Sequence, residues 1–534
     1  MCGIALVLGP RADPQVFRRM LAALAQRGEI EEVLCSDDLL AGTQRLRIVD
    51  RRRAVQPWAS ADGRWVLCFN GEIFNHRELR AELAVLGRDF RTASDTEVLL
   101  TAFLQWGENA VTRLRGEFAF AIGDRASGCV YLARDPLGVK PLYWSRSDGC
   151  LLVASEVKAL VPSGSPVTEI PPGHHGWAEP AAGPDLVPYA SLLRPGQGQP
   201  PVEDPDEAAK LVRAAFEDSI RVRVDTDLTV GVVLSGGLDS SLVLLQAQDM
   251  HPDCVALTIG APGSEDVAYA RRLTAEFGIP HEVIELRPGD IRLDDIREAI
   301  RLSELTEYGD IINAVVSVPL FRRVHELGIK VALTGDGSDE LFGGYPMYER
   351  AGPAGARRLF LHKIRNLCRT ELQRVDRTSM ACGVEARVPF LDLPLVELAL
   401  RLPMDMKVRD GQEKWILREA FAGLLPGYVR NRPKNPMSHS SGLHERARLY
   451  RPLFARIHRS YGYDLLGPVR RDFSAVLEQC GNDLDKAIAE GAARPDYSLL
   501  EHARDLAGAV RWNAAPAARR VMPAARRVVS AGRR

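Results

Sequence analysis

The tightest constraint on this fold lies at residues 228–278. An apolar strand, LTVGVVLS, runs into GGLDSS and then into a helix, SLVLLQAQDM; a second strand, VALTIGAP, is followed by an amphipathic helix, DVAYARRLTAEFG. EVIEL and IKVALTG continue the alternation. Strands separated by helices return in the same direction rather than as hairpins, so the pattern predicts a doubly wound parallel sheet. Beyond about residue 350 the periodicity is mostly helical.

The first half reads differently. GIALVLG, LLAGTQRLRIV, WVLCFNGEIF, FAFAIGD and CVYLARD are short apolar or alternating runs bounded by Gly, Asp and Asn, with the helical patterns HRELRAELAVLG and TEVLLTAFLQWG between them. Neighbouring strands that pair, with helices outside, predict a layered α/β sandwich. The halves meet in EPAAGPDLVPYASLLRPGQGQPPVEDPD (179–206), whose density of Pro and Gly reads as an inter-domain connection. The expected organisation is a first domain over 1–195, a second over 207–510 and a basic Ala/Arg-rich tail over 511–534, read as a solvated or weakly helical extension.

Lys and Arg total 69 against 70 Asp and Glu, which leaves no global electrostatic case for a nucleic-acid or membrane partner. No run approaches the ~20 apolar residues that span a bilayer, and MCGIALVLGP lacks the basic start and length of a secretory signal, so a cytoplasmic location is expected. The nine cysteines are odd in number, scattered and without CxxC or Cys/His spacing; most read as reduced, buried small residues rather than metal ligands.

Cys2 stands apart by position. Removal of Met1 would leave its thiol and a free α-amine on one residue, and that amine, with an ordinary pKa of roughly 7.7–8, can serve as general base for the thiol. RLRIVD (45–50), FNGEIFN (69–75), ASDTEVLL (93–100) and ARDPLGVKPLYW (133–144) follow in order. On these motifs the first half resembles the class II, N-terminal-nucleophile glutamine amidotransferases, and the whole chain resembles the glutamine-hydrolysing asparagine synthetases. The resemblance implies an Ntn-type sandwich for the first domain. It implies Cys2 as the catalytic nucleophile, with Asn70 and the Gly71 amide as the oxyanion hole. It also implies Arg45 as the partner of the glutamine α-carboxylate, with Glu72 and Asp95 meeting the α-ammonium. Asn70-Gly71 is equally a common turn signal, and a turn can aim its amides at a ligand. One departure stands out: QRGEI (26–30) replaces the HRGPD usual in the family, in a loop bordering the glutamine pocket, which bears on the rate of hydrolysis.

In the second half, LSGGLDSS (234–241) joins strand to helix through a loop able to turn backbone N–H groups toward an anion, the helix N-terminus adding partial positive charge. No GK[ST] follows, so it is not a Walker A loop. It resembles the pyrophosphatase loop of enzymes that cleave ATP between the α and β phosphates, which assigns ATP to Leu234, Ser235, Gly236, Gly237, Asp239, Ser240, Ile259, Thr334 and Gly335. Asp239 and Asp339, from TGDGSDELFGGY (334–345), are hard oxygen ligands suited to Mg²⁺ on a pyrophosphate. The resemblance further places Asp336 as a carboxylate supporting acyl-adenylate formation, and Lys434 of RPKNPM (432–437) as a lysine stabilising charge during adenylation. SMACGVEARVPFLD (379–392) and EKWILREAF (413–421) match the family's helical region.

The expected activity is a carbon–nitrogen ligase with glutamine, ATP and a small carboxylate as its partners; a homodimer is left open. Ammonia released at Cys2 would pass between the domains and displace AMP from an acyl-adenylate. Aspartate is the favoured carboxylate. The region that holds it in one branch of the family contains a Thr-Thr-Ile-Arg stretch, whereas TEYGDIINAVVSVP (306–319) here has none. Two alternatives stand: an amide synthetase tailoring another carboxylate in natural-product biosynthesis, and a catalytically silent scaffold, against which the intact Cys2, SGGLDSS and Lys434 argue.

Overall fold

The computed structural model describes residues 1–190, 200–434, 443–463 and 473–493. The basic tail and residues 435–437 of RPKNPM therefore lie outside the described residues.

The first half is built on two six-stranded sheets. Residues 2–188 form the twelve strands: β1 (Cys2–Leu8), β2 (Ile30–Cys35), β3 (Leu39–Arg45), β4 (Trp58–Ala59), β5 (Trp65–Ile73), β6 (Gly116–Asp124), β7 (Cys129–Arg134), β8 (Tyr143–Ser147), β9 (Cys150–Ala154), β10 (Thr168–Glu169), β11 (His174–Glu179) and β12 (Gly183–Pro188), which closes an edge. One sheet runs β10-β8-β9-β1-β3-β2 and the other β12-β11-β7-β6-β5-β4, with all the pairings between these strands antiparallel. Ile4, Leu6 and Leu8 of β1 meet Val66, Cys68, Ala119, Ala121 and Leu132 between the sheets. Helix α1 (Pro14–Ala23) buries Phe17, Met20 and Leu21 on the outer face of the first sheet, while α2 (His76–Val85) and α3 (Asp95–Trp106) cover the second. The expected sandwich is thus a four-layer α-β-β-α stack, with Cys2 at the start of a central strand. The strand expected over LLAGTQRLRIV stops at Arg45.

The second half carries a five-stranded parallel sheet of β13 (Val230–Val233), β14 (Cys254–Gly260), β15 (His281–Glu285), β16 (Val331–Leu333) and β17 (Glu385–Arg387), ordered β15-β14-β13-β16-β17. The order reverses between β13 and β16. Ligands of doubly wound sheets bind outside the carboxyl ends of the strands at such a reversal, and the two motifs singled out above, LSGGLDSS and TGDGSDE, directly follow β13 and β16.

Two expectations need correction. The stretch 179–206 is not connection throughout: Gly183–Pro188 forms β12, paired along β11, and its two prolines are tolerated because β12 is an edge strand. GVEARVP is not part of a helical region, since Glu385–Arg387 is the fifth parallel strand, registered against Val331–Leu333. Among the cysteines, all nine are free, but Cys35 is exposed and Cys129, Cys382 and Cys480 are only half-buried.

The halves join through buried charge. Arg27 is fully buried and donates to Glu156 (2.6 Å) and, across the boundary, to Asp376 (2.9 and 3.2 Å). Glu117 accepts from Arg223 (3.1 Å) and pairs with Lys140 (3.2 Å), while Arg115 and Arg223 both reach Asp392. The Glu304 carboxylate accepts the backbone N–H groups of Val157 (3.2 Å) and Lys158 (2.8 Å). Burial alone would push the Glu385 and Asp376 carboxyls up. Arg387 and the Met1 ammonium instead bring Glu385 down to about 2, and Arg27 and Lys140 do the same for Asp376. Because the folded pKa values lie below the ordinary ones, this stabilisation is complete above the unfolded carboxyl range and is lost as pH falls toward about 2. The midpoint of thermal unfolding should therefore hold from neutrality to about pH 4.5 and fall steeply below it; a flat profile down to pH 3 would contradict the linkage.

Candidate active site

Cys2 and Arg45 face each other across the β1–β3 ladder. In the chain with Met1 in place, the Cys2 backbone N–H donates to Asn70 Oδ1 at 3.0 Å. That bond orients the Asn70 amide, and its Nδ2 is left buried without an acceptor. The Arg45 guanidinium is buried as well. Its Nη2 has no acceptor, and the nearest carboxylate, on Glu32, lies 3.8 Å from Nη1. Buried donors without acceptors are costly unless a ligand supplies them. Here two such donors flank one thiol.

Gly71 follows Asn70 on β5 with φ +151°, and a Cβ there would stand 2.1 Å from the Glu117 carbonyl oxygen, so only glycine fits. Glu72 and Asp95 are both buried beside this strand, Asp95 accepting the Ile73 N–H at 3.2 Å. Burial and their mutual repulsion push the Glu72 carboxyl well up, and burial pushes Asp95 up too. A cation placed between them would relieve both effects. Burial likewise raises the Cys2 thiol, whose Sγ is approached by Gln56 Nε2 at 3.7 Å.

The QRGEI departure has a structural account. Arg27 Nε donates to the Cys2 carbonyl at 3.1 Å, and a Cβ on Gly28 would meet the Gln44 carbonyl carbon at 2.3 Å, so the retained Arg-Gly pair packs directly behind the nucleophile. Glu29 turns outward to Arg47 (3.2 Å) and Lys330 (2.5 Å), and Ile30 opens β2.

In the second half a cavity of about 460 Å³ opens at the sheet reversal, lined among others by Ser235, Asp239, Ser240, Thr334, Gly335, Asp336, Asp339 and Lys434. Gly236 takes φ +68°, and a Cβ there would clash with Tyr269 at 2.6 Å. Gly237 caps α6 (Leu238–Met250; α4, Val157–Leu160, and α5, Pro205–Arg223, precede it) with no side chain over the helix terminus, and it lines a small adjoining pocket. Leu234, Gly236 and Ile259 do not line the cavity; Leu234 and Ile259 are buried at the ends of β13 and β14.

The two expected metal carboxylates converge on one point. Lys414 Nζ lies 2.5 Å from both Asp239 Oδ2 and Asp339 Oδ1, and Lys434 Nζ lies 2.5 Å from Asp339 and 4.0 Å from Asp239. These two ammonium groups outweigh burial and hold Asp339 far below the usual carboxylate range, while Asp339 and Asp239 raise Lys434. Among the described residues no group of three or more His, Cys, Asp or Glu is placed to hold a metal, so a cation here would take two carboxylates and complete its shell from phosphate and water, the usual manner of Mg²⁺. Asp336 is ion-paired to Arg374 at 2.5 Å.

Sequence reasoning passed over Lys414, Arg374, Glu385 and Arg387. Lys414 lies inside the quoted EKWILREAF, but what aims it is a left-handed backbone (φ +55°) that no sequence pattern announces. Glu385 and Arg387 belong to the strand that was read as helix. They extend from the second half into the Cys2 pocket: Glu385 pairs with the Met1 ammonium at 3.0 Å and Arg387 approaches Glu72 at 3.5 Å. The same strand accepts the Thr334 N–H at the Arg387 carbonyl (3.0 Å), so β17 touches both sites.

Residues 1–172 match the glutamine amidotransferase domain family, and residues 211–355 and 349–489 match the asparagine synthase family. The chain is 33% identical to asparagine synthetase B [glutamine-hydrolyzing] of Escherichia coli K12 over 470 residues, covering 83% of each protein. It is 33% identical to asparagine synthetase [glutamine-hydrolyzing] of Sandersonia aurantiaca over 484 residues, 83% of this chain and 87% of that one. A rice enzyme of the same description is 34% identical over 485 residues, 83% of this chain and 78% of its own. With a nucleophile flanked by unpaired donors in one half and a loop-lined cavity at the sheet reversal in the other, the chain belongs to the glutamine-hydrolysing asparagine synthetase family and is an ATP-using carbon–nitrogen ligase that takes its amide nitrogen from glutamine.

Proposed function

We propose that the amide formed is that of aspartate, made in the cytoplasm with Mg²⁺ as cofactor, by two sites joined through β17. The observation that carries the two-site reading is that strand: on one side Glu385 pairs with the Met1 ammonium and Arg387 approaches Glu72, and on the other the Arg387 carbonyl accepts the N–H of Thr334, in the loop after β16.

After Met1 removal, the Cys2 amine takes the thiol proton and Sγ attacks the glutamine side-chain amide carbon. Asn70 Nδ2 and the Gly71 N–H stabilise the oxyanion; as it collapses the Cys2 ammonium returns its proton to the departing nitrogen, giving a Cys2 thioester and ammonia, with water later releasing glutamate. Arg45 holds the α-carboxylate, and Glu72 with Asp95 holds the α-ammonium. In the other half, Ser235, Gly237, Asp239 and Ser240, with Thr334 and Gly335, seat ATP. A Mg²⁺ ion held by Asp239 and Asp339 would neutralise the leaving pyrophosphate. An aspartate side-chain carboxylate oxygen attacks the α-phosphorus, Lys434 offsets the developing charge, and Asp336, oriented by Arg374, borders the acyl-adenylate. Ammonia then attacks the acyl carbon and AMP departs with the carboxyl oxygen.

Three substitutions test this scheme. Cys2→Ala should abolish glutamine-dependent amide formation and leave synthesis from free ammonia intact; loss of both would refute separate sites. Asn70→Ala should lower the glutaminase kcat by about 10²- to 10³-fold, with the ammonia-dependent rate as internal control. Asp239→Ala should stop ATP–pyrophosphate exchange with aspartate while glutamine hydrolysis continues, and unchanged exchange would remove the metal assignment.

A further inference from the structure

The Cys2 sulfur has a neighbour outside every motif quoted above. Gln56 stands in the loop between β3 and β4, is 5% exposed, and brings its Nε2 to 3.7 Å from Cys2 Sγ. Sulfur is larger than oxygen, so an N–H donor meets it at a longer distance than the ~2.9 Å usual for oxygen. The other bonds of Gln56 settle which way its amide points. Oε1 accepts the Phe69 N–H at 2.9 Å, a bond that an NH₂ group in its place could not make. Nε2 therefore faces Cys2 and Thr96, whose Oγ1 lies 3.2 Å away. Thr96 Oγ1 in turn reaches Asp95 Oδ1 at 3.5 Å. At its other end the Gln56 backbone N–H donates at 2.9 Å to Glu32, the carboxylate nearest Arg45. The amide is thus held between the two groups assigned to the substrate's charges, with one N–H left for sulfur.

The charges acting on Sγ come from several elements. Burial opposes the thiolate most; the terminal ammonium, the Leu46 N–H and Arg45 of β3 favour it, and Asp95 at the start of α3 opposes it. Cys68 of β5, pushed up to about 12 by burial, stays neutral. Glutamine would neutralise Arg45 with its carboxylate and Asp95 with its ammonium. Gln56 carries no charge for the substrate to cancel, so its hold on sulfur persists when the pocket is full.

We propose that Gln56 is a catalytic donor of the glutaminase site, its Nε2 N–H stabilising the Cys2 thiolate before attack and again as the leaving group of thioester hydrolysis. In the first step the thiol proton passes to the Cys2 amine and Gln56 donates to the anion that remains. In the last, water attacks the thioester carbon and yields a proton to the same amine. The carbon–sulfur bond then breaks, and its electron pair returns to Sγ beside the Gln56 N–H. Asn70 and Gly71 act on the oxygen of the tetrahedral intermediate, and Gln56 acts on its sulfur. The assignment rests on the reading of Cys2 as the nucleophile.

The test uses the full-length protein after Met1 removal and two variants. Gln56→Glu keeps the shape and an oxygen for the Phe69 N–H but gives up both amide donors; Gln56→Met keeps the length and removes all polarity. The rate of Cys2 alkylation by iodoacetamide is followed against pH, with mass spectrometry separating Cys2 from the other cysteines. Both variants should raise the alkylation midpoint by about one pH unit, Glu by more than Met because its charge adds repulsion. Glutaminase kcat near neutrality should fall by about 10-fold, with KM for glutamine and ammonia-dependent synthesis held. Because the midpoint rises, the alkylation deficit is largest below it and closes as pH climbs past it. A merely structural role would scale the rate alike at every pH, and an unmoved midpoint overturns the assignment. A raised midpoint with unchanged kcat overturns it as well. Glutamine hydrolysis that survives Cys2→Ala removes the nucleophile itself, and the donor falls with it.

Discussion

The structure depends on a layer of charge sealed between its halves. Arg27, Arg223, Arg377 and Arg387 are among its largest fully or almost fully buried side chains, and each is met by carboxylates. Withdrawing such groups from water costs several kcal/mol per ion, recovered only when geometry and hydrogen bonding are nearly complete. A layer of this kind contributes little net stability, but it tolerates few alternative arrangements. It fixes how the two halves sit and therefore where β17 ends relative to Cys2. Apolar contact runs through the same boundary, since Leu46, Ile48, Leu137 and Val139 of the first half pack into the core of the second.

Against that fully paired layer, the groups left unpaired carry information. Asn70 Nδ2 and Arg45 Nη2 lack acceptors, and Glu72 and Asp95 still repel each other although Arg387 lies 3.5 Å from Glu72. Folding leaves each of these at a cost, and the ligands that would remove it differ: an oxyanion, a carboxylate and an ammonium group. The pattern of incompleteness describes the substrates.

Much of this was legible in the chain. The βαβ alternation at 228–278 gave the parallel sheet because strand–loop–helix is a local pattern, and the position of LSGGLDSS after β13 followed from it. Arg45, Asn70 and Asp95 gather around Cys2 as their motifs implied. What escaped has a common cause. EAR at 385–387 is too short and too charged to announce a strand, and becomes one only by pairing with β16. Its meeting with the chain's N-terminus spans 384 residues. Lys414 needs a backbone conformation that is not encoded as a pattern. Residues 183–188 resemble linker in composition because an edge strand tolerates proline.

The buried charge layer also bears on how such enzymes can be recombined. Asp376 and Asp392 belong to one half and are met in part by arginines of the other, Arg27 and Arg115. A chimera that joined this amidotransferase half to a synthetase half without those carboxylates would leave buried charge without its counterpart where the parent has a salt bridge. The two halves are thus bound to change together: each acts as the other's counterion, and the seam between them is the least exchangeable part of an otherwise modular protein.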